Sequence, residues 1–556
     1  MMKQRKFLAL VLLITVSFSV GFVTHITDNY FEISKNLDIF GKLYREINSF
    51  YVDDTDPSRL MRTGIDAMLS SLDPYTNYIS EEDVEDFKFM STGQYGGVGA
   101  LIGKREDKII VLEPYEGYPA DKAGLKAGDI ILKINNEIIK PDRDVAEVRN
   151  ILRGEKGTEV ILTILHPGEE QSHEVKLSRD RIKVDNVPYF GMVNEKVGYI
   201  SLTGFTQDAG LEVQEATKIL KKENPQLTGI ILDLRGNPGG RLDEAVNVAN
   251  VFVSENELIV ETRGRIDGTR HVHNAQRSPV DTEIPLAVLV NSRSASASEI
   301  VAGSIQDLDR GLIIGQRSFG KGLVQNIRPL SYNTQLKVTT AKYYTPSGRC
   351  IQAINYAERN EDGSVARIPD SLKTAFTTRN GRTVYDGGGI EPDIPVDIQK
   401  INTITTELSN QNLIFDFATQ YVKKNPVIDS PASFAISEET YREFTDFVRT
   451  QKFDYQTSAE KQMEKLIETV EKESYSEQLK TTLTELDRKL DLLKDKDLLK
   501  HKKEISRLLR QEIVKRYYYK AGEIQTTLKD DADVLSAIKI LESPEEYRKK
   551  LSGGSK

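Results

Sequence analysis

The sequence predicts a multidomain α/β protein with helical regions at both ends. Three observations predict it. The chain has 556 residues, and at roughly 150 residues per domain that is about three or four domains. Between Val197 and Val396 short apolar runs alternate with amphipathic stretches, the pattern of strands alternating with helices. After about residue 400 the chain becomes highly charged and keeps its leucines at three- and four-residue spacing.

Composition narrows the function classes. Lys and Arg number 75 against 84 Asp and Glu, a net charge of −9. A uniformly basic surface is therefore excluded, and no nucleic-acid partner is expected. The one cysteine, Cys350, excludes an intrachain disulfide and any cysteine-only metal cluster. Six histidines are present, but no His-Glu-x-x-His zinc motif. No metal and no cofactor is assigned.

The elements follow in order. Lys3, Arg5 and Lys6 precede the uncharged run Phe7–Val23, so residues 1–25 read as a signal peptide or membrane anchor. There is no clean Ala-x-Ala cleavage site, and no cysteine follows to carry a lipid. The expected location is the periplasm or cell envelope, with residues 7–23 as an inner-membrane anchor where they are retained. The alternative is a buried N-terminal helix of a cytosolic protein. Residues 26–92 are expected to be helical, with the stripe Ile33, Leu37, Phe40, Leu43, Ile47. Residues 93–181 read as a small β-rich domain. Glycines cluster at Gly96, Gly97 and Gly99, and apolar runs follow at Ile109–Leu112, Ile130–Ile134 and Val160–Leu165, with a helix at Val145–Leu152.

Residues 182–400 form the α/β part. Strands are expected at Val197–Leu202, Gly229–Leu234, Leu258–Glu261, Leu286–Val290 and Leu312–Ile314, and helices at Gly210–Lys222, Leu242–Val253 and Ala297–Gln306. Residues 401–556 are a charged helical region. Its basic run Lys500–Arg516, followed by Tyr517-Tyr518-Tyr519, reads as a solvated helix face because Glu504 and Glu512 interrupt it, with contact to an anionic surface as the alternative.

Four places carry candidate chemistry. Gly315–Gly322 matches a phosphate loop up to Lys321, but Gly322 stands where a magnesium-binding hydroxyl is required. His271 and His273 share a strand face without a third ligand placed by the sequence. Ser292, Ser294, Ser296 and Ser298 lie between a strand and a helix start, where free N–H groups stabilise negative charge. Ser296-x-x-Glu299 also reads as a capping box. Finally, Asp233–Gly240 is a glycine-rich turn after another strand, and its backbone N–H groups can approach a ligand closely. The two strand-to-helix turns are able to converge on one carbonyl. A serine nucleophile needs a base. No Gly-x-Ser-x-Gly elbow is present, and a lysine of lowered pKa can replace histidine, with Lys321 between two glycines as the candidate.

Together these residues resemble the C-terminal processing peptidases, or tail-specific proteases. The matching stretches are Asp233-Leu-Arg-Gly-Asn-Pro-Gly-Gly240, Ser294-Ala-Ser-Ala-Ser-Glu-Ile300, Phe319-Gly-Lys-Gly-Leu-Val-Gln325, Tyr343-Tyr-Thr-Pro-Ser-Gly-Arg349 and Gly389-Ile-Glu-Pro-Asp-Ile394. The resemblance implies a serine endopeptidase with nucleophile Ser296, base Lys321, and Gln325 orienting the lysine. It implies an oxyanion hole from Ala297, Gly239 and Gly240. It also implies a ClpP/crotonase-like β-β-α spiral protease core with an inserted PDZ domain. Tyr118–Asp129 is similar to the PDZ stretch of these proteases, Gly96-Gly97-Val98-Gly99 would be the carboxylate loop, and Arg153 a link between PDZ domain and core. The implied partners are protein substrates with free C-termini. Core docking, a homodimer or an adaptor all stay open for residues 401–556. The rival class is a binding module, a PDZ scaffold on an inactive core.

Overall fold

The computed structural model describes residues 30–553 apart from 267 and 360–364. The leader expected at residues 1–25 lies outside the described residues, and among those described no helix is long and apolar enough to cross a membrane. The chain divides into two units, Met1–Tyr78 and Ile79–Lys556.

In the first unit residues 30–50 are helical, and Pro57–Ser70 forms a second helix. Asp56 starts the latter by accepting the Arg59 N–H, with Pro57 at the first helical position. The stripe Ile33, Leu37, Phe40, Leu43, Ile47 lies on the first helix with all five side chains exposed.

The second unit opens with the helix Val84–Thr92. A β-domain follows, its strands ordered Ala100–Arg105, Lys108–Pro114, Ile130–Ile134, Glu159–Leu165, His173–Ser178, all neighbours antiparallel. Alternation builds its core: Ile109 and Val111 face inward with Val160, Leu162 and Ile164, against Val148 and Leu152 of the helix Val145–Leu152. Asp144 caps that helix through the Ala146 N–H. Ala100–Arg105 stands at the edge of the sheet.

The α/β part is a sheet ordered Tyr189–Met192, Val197–Ser201, Gly229–Asp233, Leu286–Val290, Leu312–Gly315, Ile394–Pro395. All pairs are parallel except the first. The strands read as continuous apolar runs because both faces are covered. Ile200, Ile230, Leu232, Val288 and Ile313 pack under the helices Ala209–Glu223, Leu242–Asn250 and Ala297–Asp307. The alternate residues Tyr199, Ile231, Ala287, Leu289 and Ile314 pack against Val534, Ala537, Ile540 and Tyr547. So the helices Ala532–Leu541 and Pro544–Leu551, from the far end of the chain, form the second layer of the sheet. A second sheet pairs Leu258–Gly264 with His271–Asn274 and with Gln335–Tyr344, which forms a long hairpin with Leu323–Pro329. That hairpin is absent from the sequence reading because it is largely half-exposed and mixes Lys, Arg and Asn with its apolar residues.

The remaining C-terminal helices surround Phe417, Phe444, Leu509 and Ile513. Here the expectation of a solvated Lys500–Arg516 face is overturned. Ile505, Leu509, Ile513 and Val514 are fully buried, and the basic residues beside them reach partners. Arg516 donates to the Phe415 carbonyl at 2.9 Å, and Lys515 pairs with Glu113 of the β-domain at 2.6 Å. Arg105 pairs with Asp416, and the Tyr519 hydroxyl donates to Asp121 at 2.7 Å. The β-domain is thus fastened to the C-terminal helices.

The Tyr547 hydroxyl lies 2.9 Å from the Leu286 N–H and 3.1 Å from its carbonyl, at the buried amino end of a central strand. Tyr547→Phe should therefore cost about 1–3 kcal/mol, since it orphans a buried N–H. Urea denaturation measures this, and an unchanged midpoint would mean the C-terminal helix holds by packing alone.

Candidate active site

Strands Gly229–Asp233 and Leu286–Val290 are parallel neighbours in register, Asp233 opposite Leu289. Their carboxyl ends therefore open side by side, where ligands of open α/β sheets bind. The two turns that follow are stitched together. Ser294 Oγ donates to the Leu234 carbonyl at 2.8 Å, and Ser298 Oγ to the Asn237 carbonyl at 3.0 Å. The Ala295 N–H reaches the same Asn237 carbonyl at 3.1 Å, while Asn237 Nδ2 donates to the Leu202 carbonyl at 2.8 Å. Ser294 and Ser298 are fully buried in this stitching. Ser296 is half-buried at the helix start, with φ +56° and ψ −113°. A positive φ is unusual for serine and costs roughly 1–3 kcal/mol unless its surroundings hold it.

Three groups hold it. The Glu299 carboxylate accepts the Ser296 N–H at 2.8 Å. The Tyr343 hydroxyl lies 3.1 Å from the Ser296 carbonyl and 2.5 Å from the Lys321 carbonyl. The Gly239 turn closes the third side: a Cβ on Gly239 would lie 2.7 Å from the Ala295 carbonyl and 2.9 Å from both the Ala297 nitrogen and Ser296 Cβ. With φ +98° as well, no other residue fits there.

Glu299 also fixes the lysine. One carboxylate oxygen accepts the Ser318 hydroxyl at 2.5 Å and the Gly320 N–H at 2.7 Å. The other accepts the Lys321 N–H at 2.9 Å beside that of Ser296. Glu299 is fully buried, and burial raises its pKa, with the four donors pulling the other way. Gln325, on Leu323–Pro329 where the register shifts, donates from Nε2 to Thr339 Oγ1 at 3.2 Å.

The backbone donors divide unequally. The Gly239 N–H is taken by Asn237 Oδ1 at 2.9 Å. Those of Ala297 and Gly240 meet no acceptor among the described residues. Of the three donors expected, Gly239 therefore supplies close approach, while Ala297 and Gly240 keep N–H groups for a ligand.

Behind the turn, Arg235 sits in a cluster of three carboxylates. It bonds Asp233 at 2.6 Å, Asp531 at 2.8 Å and Asp533 at 2.7 Å, the last two from the C-terminal region. Burial raises the Asp533 pKa, countered by Arg235.

In the β-domain, the strand Gln94–Gly97 pairs with Asp180–Lys183 and leads through Val98 and Gly99 into the edge strand. Gly96 lies against the Gly154 carbonyl, where a Cβ would meet it at 2.2 Å. The carbonyls of Val98 and Gly99 accept the Ala120 and Tyr115 N–H groups, while their own N–H groups meet no acceptor among the described residues. Arg153, expected as a link between the β-domain and the core, pairs with Asp86 and lies over the rings of Tyr95 at 5.4 Å and Phe89 at 6.0 Å, so it ties the β-domain to the preceding helix Val84–Thr92.

Sequence reasoning brought Ser296, Lys321 and the Gly239 turn to one place. It missed Tyr343 and Asn237, both inside quoted motifs, and took Glu299 only as a helix cap.

Residues 196–358 match the model for peptidase family S41, residues 110–165 a PDZ domain, and residues 404–541 the C-terminal helical domain of probable PDZ-proteases. A carboxy-terminal-processing protease of Bartonella bacilliformis is 41% identical over 330 residues, 59% of this chain and 75% of that protein. The chain belongs to the carboxy-terminal-processing proteases of peptidase family S41. A probable CtpA-like serine protease of Staphylococcus aureus is 36% identical over 57% of this chain and 62% of its own length. A solved photosystem II D1 C-terminal processing protease is 27% identical over 64% of this chain and 92% of its own, with a TM-score of 0.35. This S41 protein is therefore a serine-type protease carrying a PDZ domain and a helical C-terminal region.

Glu299→Gln tests the central strut of this S41 site. An amide has one acceptor oxygen, so its NH2 would face at least one backbone N–H donor in either orientation. A loss of about 2–4 kcal/mol is expected, from buried donors left unpaired, together with a fall in turnover of about 100-fold or more from the misplaced backbone. Denaturation and peptidase assays on the same preparation measure both. Parent-like values would show that the carboxylate is dispensable.

Proposed function

We propose that this protein is an exported endopeptidase that selects substrates by their free C-termini and cleaves them with a Ser296–Lys321 dyad. The observation that carries the reading is the single buried Glu299 carboxylate bonded to the backbone of both residues. That shared bond between the turns carrying the hydroxyl and the amine, with the Gly239 turn against Ser296, supports the reading.

In this reading the neutral Lys321 amine takes the Ser296 proton as the oxygen attacks a peptide carbonyl. The N–H groups of Ala297 and Gly240 receive the oxyanion, the ammonium protonates the leaving amine, and water releases the acyl group. Gln325 supports the lysine from the adjacent strand. The core is read as a ClpP/crotonase-like β-β-α spiral, a reading supported by the order of strand pair Tyr189–Ser201 and helix Ala209–Glu223. Export rests on Lys3, Arg5, Lys6 and the run Phe7–Val23.

Substrate tails are proposed to add as a strand beside Ala100–Arg105, their carboxylate meeting the Val98 and Gly99 N–H groups next to Gly96 and Gly97. The open sheet edge and the unused N–H groups support this.

Ser296→Ala should abolish cleavage of a denatured protein substrate. Ser294→Ala and Ser298→Ala should keep the chemistry and lose about 1–3 kcal/mol of stability, because their hydroxyls serve the stitching. Activity surviving in Ser296→Ala would move the nucleophile elsewhere, and full-length substrate with the parent protein would favour the scaffold reading.

For tail selection, one peptide is compared as free acid and as amide by fluorescence anisotropy. The free acid should bind at least about 10-fold more tightly, as one lost charged hydrogen bond of roughly 1.5–3 kcal/mol requires. Equal affinities would remove the PDZ domain from substrate selection.

A further inference from the structure

We propose that the PDZ domain carries a binding site for a divalent transition-metal ion of the zinc class, formed by His166, Glu169 and His173. The argument is independent of the catalytic reading. The strands Glu159–Leu165 and His173–Ser178 are antiparallel neighbours with Ile164 opposite His173. Side chains alternate along a strand, so His166, two residues after Ile164, continues the face on which His173 lies. Their rings are 5.5 Å apart between centroids. Glu169 is in the connecting turn, whose backbone closes by a 3.1 Å bond from its N–H to the His166 carbonyl. One ligand atom from each of the three lies within 4.8 Å of the others.

What turns three neighbouring side chains into a built site is Asp129. Its side chain is fully buried, and its Oδ1 lies 2.6 Å from His166 Nδ1. A carboxylate behind a histidine fixes the ring and its tautomer and raises the basicity of the other nitrogen, as in carboxylate–histidine–metal triads. The Nδ1 proton then belongs to the Asp129 contact, and Nε2 keeps its lone pair for an ion. His173 Nε2 and Glu169 Oε2 lie 2.9 Å apart. Two nitrogens and one carboxylate suit zinc, cobalt, nickel or copper rather than magnesium or calcium. Three protein ligands leave a fourth position for water.

The sequence reading weighed only His271 and His273, which gather no third ligand among the described residues. The spacing of His166 and His173 shows its meaning only when the hairpin is closed. Lys423, which donates to the Pro167 carbonyl, is the cation beside the site and lowers its affinity. It also marks the place where this hairpin meets the helix Leu413–Lys424, so a bound ion would stiffen that junction.

The test uses the full chain, stripped by chelator and titrated with zinc or cobalt near neutral pH. Calorimetry gives the stoichiometry, and the cobalt d–d spectrum reports nitrogen ligation. One site is expected in the parent. His173→Ala and Glu169→Gln should each weaken it at least about 10-fold, and Asp129→Asn by about 10- to 100-fold. His271→Ala combined with His273→Ala should leave it unchanged. Diethylpyrocarbonate footprinting of the parent, with and without zinc, needs no variant and should show His166 and His173 protected. Parent-like affinity in His173→Ala, loss of binding in the His271 and His273 variant, absence of protection, or no binding by the parent would each overturn the proposal.

Discussion

The Glu299 carboxylate is the constraint on which the active site depends. Its two oxygens accept four hydrogen bonds from two parts of the chain, the Ser296 turn and the Ser318–Lys321 loop. The donors are mostly backbone, so the carboxylate fixes main-chain positions rather than side-chain rotamers. It ties the first turn of one helix to the loop after the neighbouring strand Leu312–Gly315. Burial raises its pKa, so proximity of donors has to replace the water it has lost. An apolar residue there would leave four donors facing nothing, and a neutral amide would set its NH2 against at least one backbone N–H.

That strut can work only because the sheet beneath it is rigid. The four central strands from Val197 to Gly315 are fully buried, and their alternate residues go to opposite layers. One layer comes from helices of the protease core. The other comes from residues 528–551, more than two hundred positions along the chain from most of the strands they cover. The same segment supplies Asp531 and Asp533 to Arg235, which lies in the turn that leads to Gly239. The C-terminal region of this S41 protease is therefore part of the catalytic core's construction, as well as the support to which the PDZ domain is fastened through Asp416, Lys515 and Tyr519.

Much of this was legible in the sequence, and the reason is periodicity. The strand Leu286–Val290 and the helix Val145–Leu152 are found with the bounds that their apolar pattern predicts. The serine run and the Gly239 turn were legible because strand-to-helix junctions have characteristic residues, and the resemblance to the tail-specific proteases singled out Ser296 within the run. What was not legible depends on distant partners. A charged helix with buried leucines between its lysines and arginines reads like a solvated one until Glu113 and the Phe415 carbonyl are seen across from it. Arg153 has no sequence signal naming Asp86 and the rings of Phe89 and Tyr95 as its surroundings. Glu299 announced itself as a cap, which is true and incomplete: Ser318, Gly320 and Lys321 lie on another turn, and only the parallel pairing of Val290 with Gly315 brings them near.

The strain at Ser296 explains why so many groups converge there. A serine at φ +56° sits in a backbone region that costs roughly 1–3 kcal/mol. Relaxation would turn its N–H away from Glu299 and its carbonyl away from Tyr343, both in a buried setting where lost partners are expensive. Gly239 packs beside Ser296 with no room for a methyl group of its own. Each restraint closes one route to a relaxed backbone. The strained geometry is thus the cheapest one left to the chain, and it sets the hydroxyl-bearing carbon beside the unused N–H group at the start of its own helix.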